Sequence, residues 1–413
     1  MESFVTSRRT TTKVAVGTEF IGGDAPIVVQ SMATSATTDI DGSVQDALSI
    51  AEAGGRIVRY TAASVSEAKA LGEIKNRLRA AGCDIPIVAD VHFNPQAAFT
   101  AAQIVEKVRI NPGNFIDARA KFEIIDYTDK EYNAEIARLE TEFRKLLAIC
   151  RSNGTAIRIG VNHGSLSDRI MSRYGDTVNG MCESAMEFLR VCKKDNFNNV
   201  VVSMKSSNVA VMVEAYREIV LRMQREEMSY PLHLGVTEAG EGEDGRVKSA
   251  IGIGTLLNEG IGDTIRVSLT EPPSQEVKVA DIIIDYISQL KISTIMSITR
   301  NRSTIPIVIY KPTTKCVPAP DLTELDGESI TIHPSELERN AEFLLKSPNT
   351  TIIFETNDIN FSYECRKFFN TISELSIKNR VILKRTYNQT SLDSLTVRAS
   401  IDFGWALLSG FAD

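Results

Sequence analysis

Five basic side chains stand inside apolar runs where a buried strand would carry only apolar ones: Arg59, Arg109, Arg158, Lys205 and Arg266. In a strand, residues i and i+2 share a face. Within 156–162, Ile157, Ile159 and Val161 therefore point one way, and Arg158, Gly160 and Asn162 the other. The run 264–270 repeats the scheme, with Ile265, Val267 and Leu269 opposite Arg266 and Ser268. Two more runs place Asp90 with His92, and Thr237, in the same register. If the apolar face packs on helices, the cations point into a barrel or cleft. Burying unpaired cations is costly, and in this register Asp90 is the one acid that answers them.

Two readings follow. Loop acids such as Glu238 and Glu241 could neutralise the cations. Alternatively, the cluster grips a ligand with several negative charges, such as two phosphoryl groups, through guanidinium forks. Thr237, Ser268 and Asn162 would then orient that ligand by hydrogen bonds. Asp90-Val-His92 sets a carboxylate and an imidazole on one face, which suits a proton relay or a clamp on a ligand hydroxyl. The bland alternative is a core histidine satisfied by a neighbour. His163 reads as a loop residue leading into a helix.

Regular elements must hold these residues in place. Strand patterns cover 26–34, 56–62, 85–92, 107–111, 156–162, 200–205, 232–237 and 264–270. Helical patterns alternate with them. Ser64-Val-Ser-Glu67 is a capping box opening a helix that Gly82 closes. Val44, Ala47, Leu48 and Ala51 fall at i, i+3, i+4 and i+7 before Gly54 and Gly55. Asn94-Pro95 supplies an N-cap and a first-turn proline. Eight βα units in series predict an α/β fold, a (β/α)8 TIM barrel over 1–290, closed by a helix over 274–290. An open doubly wound sheet is the runner-up, and it fits less well because so many strands carry inward polar residues.

The texture changes after residue 290. Strands are expected at 305–310, 350–355 and 381–384, with helices over 334–345 and 360–375. The second α/β module, 291–413, has little concentrated chemistry. The segment 250–263 resembles 400–413 without a gap. In the barrel this segment leads straight into a strand, whereas the second copy ends the chain. The second module is therefore expected to be incomplete, and the chain a fragment.

Net charge is −7, so nucleic acid and anionic membranes are poor general partners, and any cationic site must be local. No apolar stretch suits a membrane span, and residues 1–13 contain no apolar signal core. The six cysteines are scattered without a CxxC pair, which reads as reduced thiols in a cytoplasm and assigns no metal ligands. The Gly-rich acidic run 240–246 reads as a loop on the active face, a candidate lid. Gly252-Ile-Gly254 lacks the preceding strand of a dinucleotide fingerprint, and no Gly-x-x-x-x-Gly-Lys is present.

Several motifs resemble a known family. Val29-Gln-Ser-Met32, Ala89-Asp-Val-His-Phe93, Val108-Arg-Ile-Asn-Pro-Gly-Asn114, Ile157-Arg-Ile-Gly-Val-Asn162, Ser203-Met-Lys-Ser-Ser207, Leu234-Gly-Val-Thr-Glu-Ala239 and Gly262-Asp-Thr-Ile-Arg-Val-Ser-Leu-Thr270 are similar to the hydroxymethylbutenyl diphosphate synthases of the methylerythritol phosphate route. The match runs in order along the whole barrel, and the second module resembles the extra domain inserted in the long form of that family. The resemblance implies reductive opening of methylerythritol cyclodiphosphate and loss of a hydroxyl as water. It implies substrate contacts from Arg59, Asp90, His92, Arg109, Arg158, Asn162, Lys205, Thr237, Arg266 and Ser268, with Asp90 and His92 beside the hydroxyl-bearing carbons. It also implies a [4Fe–4S] cluster on a further iron–sulfur domain, a flavodoxin or ferredoxin donor, a bacterial cytoplasmic setting and a homodimer. Nothing here matches that domain's close-spaced cysteines, so this chain is expected to bind substrate without turning it over. A non-redox barrel binding a phosphorylated metabolite or a pterin is the alternative.

Overall fold

The computed structural model describes residues 8–116, 127–291, 327–388 and 391–411. Eight parallel strands form the main sheet: β1 (Val28–Met32), β2 (Ile57–Thr61), β3 (Ile87–Asp90), β4 (Lys107–Ile110), β5 (Ala156–Asn162), β6 (Val200–Lys205), β7 (His233–Leu234) and β8 (Thr264–Ile265). They pair in the order β6-β5-β4-β3-β2-β1-β8-β7. A parallel bridge between Val202 and Leu232 joins β6 to the residue before β7. That bridge closes the ring, so the architecture is a TIM barrel and not an open sheet. Strands β7 and β8 pair over two residues each, shorter than their apolar runs, so Thr237, Arg266 and Ser268 lie just beyond the ladder.

The helices are α1 (Ile40–Glu52), α2 (Val65–Ala80), α3 (Pro95–Ala101), α4 (Asp129–Asn153), α5 (Asp168–Tyr174), α6 (Val178–Lys194), α7 (Val209–Arg225), α8 (Gly242–Asn258) and α9 (Pro273–Ser288). The capping box of Ser64 and Glu67 opens α2, and Asn94 caps α3 with Pro95 in its first turn. Outward strand residues Ile157, Ile159 and Val161 are fully buried with Phe143, Leu146, Phe188 and Leu189 of the helices in one continuous core. A hairpin absent from the sequence reading, Val14–Val16 with Glu19–Ile21, packs with the inward strand-start residues Val28, Ile57, Val88, Ala156 and Val201. It forms an apolar floor, so the inner residues open only toward the C-terminal strand ends.

The second module has its own parallel sheet, β9 (Ser329–Ile332), β10 (Thr351–Glu355) and β11 (Val381–Lys384), in that order. With it come α10 (Leu337–Lys346), α11 (Phe361–Glu374) and α12 (Leu392–Leu408). The last two expected strands and both expected helices appear. The strand expected at 305–310 lies outside the described residues, and β9 was not foreseen. Its core is separate and aromatic, with Phe354, Phe361, Phe368, Phe369 and Trp405. The 240–246 run is not a free loop, because α8 begins at Gly242. Glu243 and Asp244 sit in its first turn, where a helix N-terminus favours carboxylates.

Candidate functional site

Parallel pairing fixes which side chains share a layer. Asp90, Arg109 and Arg158 stand opposite one another across β3, β4 and β5, and Asn162 stands opposite Lys205 across β5 and β6. Asp90 is the hub. Its Oδ1 accepts from Arg109 Nη1 at 2.9 Å, its Oδ2 lies 3.0 Å from Arg59 Nε, and Arg158 Nη2 is 3.8 Å away. His92 Nε2 is 3.5 Å from Asp90 Oδ1 and 3.1 Å from Arg109 Nη1. Burial pushes the Asp90 carboxyl up, but Arg59 and Arg109, a hydrogen bond with His92 and the charge of Arg158 hold it well below the usual carboxylate range.

The cations outnumber the acids. Arg59, Arg109, Arg158 and Lys205 are all buried, yet Arg59 Nη1, Arg109 Nε and Arg158 Nε have no hydrogen-bond partner. Burial lowers the Arg59 guanidinium to about 10, with Asp90 opposing the shift and Arg266 and Arg109 adding to it. Lys205 is also driven well below the usual lysine range, first by burial and then by Arg59, Arg158 and Arg266. Two glycines make room for these heads. A Cβ on Gly160 would stand 2.6 Å from Arg109 Nε, and one on Gly235 would stand 3.0 Å from Lys205 Nζ.

One neutralising acid escaped the sequence reading. Arg266 is held bidentately by Glu276 of α9, at 2.7 and 3.1 Å, and Ser31 Oγ donates to the same carboxylate at 2.7 Å. Among the described residues, Asp90 and Glu276, not the loop acids Glu238 and Glu241, are the carboxylates bonded to the inward cations. Thr237 and Ser268 lie half-buried at the rim, and the Thr237 amide donates to Ser206 O at 3.2 Å. Phe93 and Glu238, in the loops that follow β3 and β7, adopt left-handed backbone with φ of 58° and 50°. Strain of that kind concentrates at functional rims. His163 stays in the loop after β5, 3.6 Å from Asp176.

Two more inward residues were missed, Lys107 and His233. Both are fully buried. Lys107 is the first residue of β4, two before Arg109, and His233 opens β7. The signal for Lys107 was present, since i and i+2 share a face.

The described cysteines lie apart from one another in sequence and are mostly buried. Cys150, Cys182, Cys192 and Cys365 are buried and Cys83 is half-buried. Burial pushes the Cys150 and Cys182 thiols up to about 12. Cys316 lies outside the described residues. Among the described residues no three His, Cys, Asp or Glu side chains gather as a metal would require. These described residues therefore do not fit an iron–sulfur cluster. No described helix is long and apolar enough to cross a membrane.

A barrel with this cation-lined mouth has known relatives. The GcpE TIM-barrel domain profile matches residues 11–281. The chain belongs to the GcpE family. It is 55% identical over 289 residues to the 4-hydroxy-3-methylbut-2-en-1-yl diphosphate synthase (flavodoxin) of Parabacteroides distasonis, covering 70% of this chain and 47% of that protein. It is 55% identical over 272 residues to the chloroplastic, ferredoxin-named synthase of Arabidopsis thaliana, covering 66% of this chain and 37% of that protein. The chain thus spans about half the length, or less, of the curated relatives it matches.

Proposed function

We propose that this chain provides the substrate-binding barrel of a 4-hydroxy-3-methylbut-2-enyl diphosphate synthase and that its ligand is methylerythritol cyclodiphosphate. The observation that carries the reading is the buried excess of cations with unfilled donors, Arg59, Arg109 and Arg158, beside Lys205. A cyclic diphosphate brings two negative charges and acceptor oxygens for those donors. Arg59, Arg109, Arg158, Lys205 and Arg266 grip the diphosphate, with Asn162, Thr237 and Ser268 orienting it. Asp90 and His92 face the hydroxyl-bearing carbons, where the imidazole can hold or pass a proton.

The names of the relatives favour this ligand over a pterin or an unrelated phosphorylated metabolite. The same reading assigns 1–290 to substrate binding and 291–413 to an inserted domain. It also assigns the whole protein a [4Fe–4S] cluster held elsewhere, a flavodoxin or ferredoxin donor, a homodimeric state and a bacterial cytoplasmic setting. The test is an anaerobic calorimetric titration with methylerythritol cyclodiphosphate, using Lys205→Ala as control. Saturable binding that the variant loses supports the reading. A folded wild-type chain that binds nothing overturns it.

A further inference from the structure

Beneath the arginine layer lies a residue the proposed function does not use. Lys107 faces the same layer as Val88 and Ala156, with which it is in register on either side. Both belong to the apolar floor sealed by the hairpin. The Lys107 side chain is fully buried, and its Nζ has no hydrogen-bond partner. Among the described residues, the charged groups that act on it are Arg158 of β5 and Arg59 of β2, both of its own sign. Asp90 is taken by Arg59, Arg109 and Arg158, and Glu276 by Arg266.

His233 of β7 cannot supply the missing negative charge, nor does it carry a positive one. Arg158 Nη1 stands 3.3 Å from His233 Nδ1. A guanidinium only donates, so Nδ1 must accept, the ring proton sits on Nε2 and the imidazole is neutral. Arginines keep their protons even when crowded, so the repulsion within the cluster falls on the amines. Burial and then Arg158 and Arg59 drive the Lys107 ammonium well below the usual lysine range.

We propose that Lys107 is a neutral amine in the empty barrel and takes up a proton when the anion binds above it, so that ligand and proton load together. The inference rests on the diphosphate reading and adds a residue to that site. An anion bearing two negative charges cancels the guanidinium repulsion on Lys107, and in a water-poor interior that field reaches it across one layer. Lys107 then completes the charge balance from below as a positioning residue. A further consequence is that affinity falls as pH rises, by up to about tenfold per pH unit for each proton taken up.

The test uses methylerythritol cyclodiphosphate, whose phosphoryl groups have no ionisation near neutrality, so any proton exchanged belongs to the protein. The full chain is titrated at pH 8 in three buffers of different ionisation enthalpy, as wild type and as Lys107→Met. Dependence of the heat on buffer enthalpy gives the protons taken up. Wild type is expected to take up about one proton more than the variant while both bind. Equal uptake with intact binding overturns this inference alone. No binding by folded wild type overturns it together with the proposed function. Because Lys107→Met could fail to fold, carbon-13 lysine spectra of the wild-type chain provide a second measurement. An amine-type Lys107 signal that turns to ammonium on ligand addition supports the proposal. An ammonium signal in the free chain overturns it.

Discussion

Replacing Asp90 by Asn tests whether the cation cluster is built for an external anion. The carboxylate is nearly inaccessible and sits 2.9 Å from Arg109, 3.0 Å from Arg59 and 3.8 Å from Arg158. Removing one partner from a buried ion pair costs about 3–5 kcal/mol, most of it the penalty of the charges left behind. Asn keeps the shape and one acceptor for Arg109, so the lower end, about 3 kcal/mol, is expected. Urea unfolding followed by circular dichroism measures the loss as a midpoint shift at constant slope. Saturating pyrophosphate, which lacks the hydroxyl-bearing carbons that Asp90 would face, supplies the missing negative charge. It should therefore raise the midpoint of the variant more than that of wild type. Because the Asp90 carboxyl is held well below its ordinary value, its contribution is complete above pH 4 or so and is lost only as pH falls through the depressed value. The carboxyl's own contribution to the gap should thus be constant from pH 5 to 8. Stability within about 1 kcal/mol of wild type, or equal stabilisation of both by pyrophosphate, would refute the reasoning.

Lys205→Ala and Arg266→Ala should each weaken cyclic diphosphate binding by about 1.5–3 kcal/mol, the cost of a lost charge-assisted hydrogen bond. Calorimetry decides, and unchanged affinity in both removes the inward-cation argument. Asp402 is buried between Tyr286, Tyr387 and Arg385. Burial raises it to about 6, against the pull of Arg385 and the two tyrosines. With the folded value raised, the folded state holds the extra proton, and stability is lost as pH climbs from about 4 to 6. Asp402→Asn should remove that dependence, gaining on wild type by up to about 3 kcal/mol between pH 4 and 7 in urea titrations; a constant difference across that range would contradict the assignment. Anaerobic reconstitution of this chain with iron and sulfide should give no stable visible charge-transfer band, because the described cysteines are dispersed and mostly buried. A stoichiometric cluster would show that the cysteines had been misread.

The barrel was legible because its strands carry a period of two strong enough to separate the core from the site. Arg109, Arg158 and Lys205 were found as charges in apolar runs, and the ladders bring them together. Glu276 was not legible. It lies on α9, ten residues beyond Arg266, and only ring closure brings that helix back against β1 and the end of β8. Lys107 sat at a strand start, where a basic residue looks like a boundary and not an inward position. The floor hairpin escaped because its three-residue strands are too short to show a period. The glycines of 240–246 suggest a loop, whereas its acids suit the first turn of a helix, and the helix begins at Gly242.

The internal echo acquires a physical meaning in the packing of the two modules. Segment 250–263 begins within α8 and segment 400–413 within α12, and these two helices lie against each other. Aligned without a gap, Ile251 matches Ile401 and Gly254 matches Gly404. A Cβ on Gly254 would stand 2.5 Å from Ile401 Cγ1, and one on Gly404 would stand 3.2 Å from Ile251 Cγ2. Each isoleucine thus lies on the glycine of the other segment, a reciprocal contact that only small residues at both positions allow. Around this seam Arg366 of α11 reaches Glu259 at 3.2 Å, while Arg246 of α8 holds both Asp393 and Glu271. Glu271 follows the segment that carries Arg266 and Ser268. The second module is therefore tied, through Arg246, to the backbone that presents the last cation of the site. A shift of α12 against α8 has a direct covalent and ionic route to the barrel mouth.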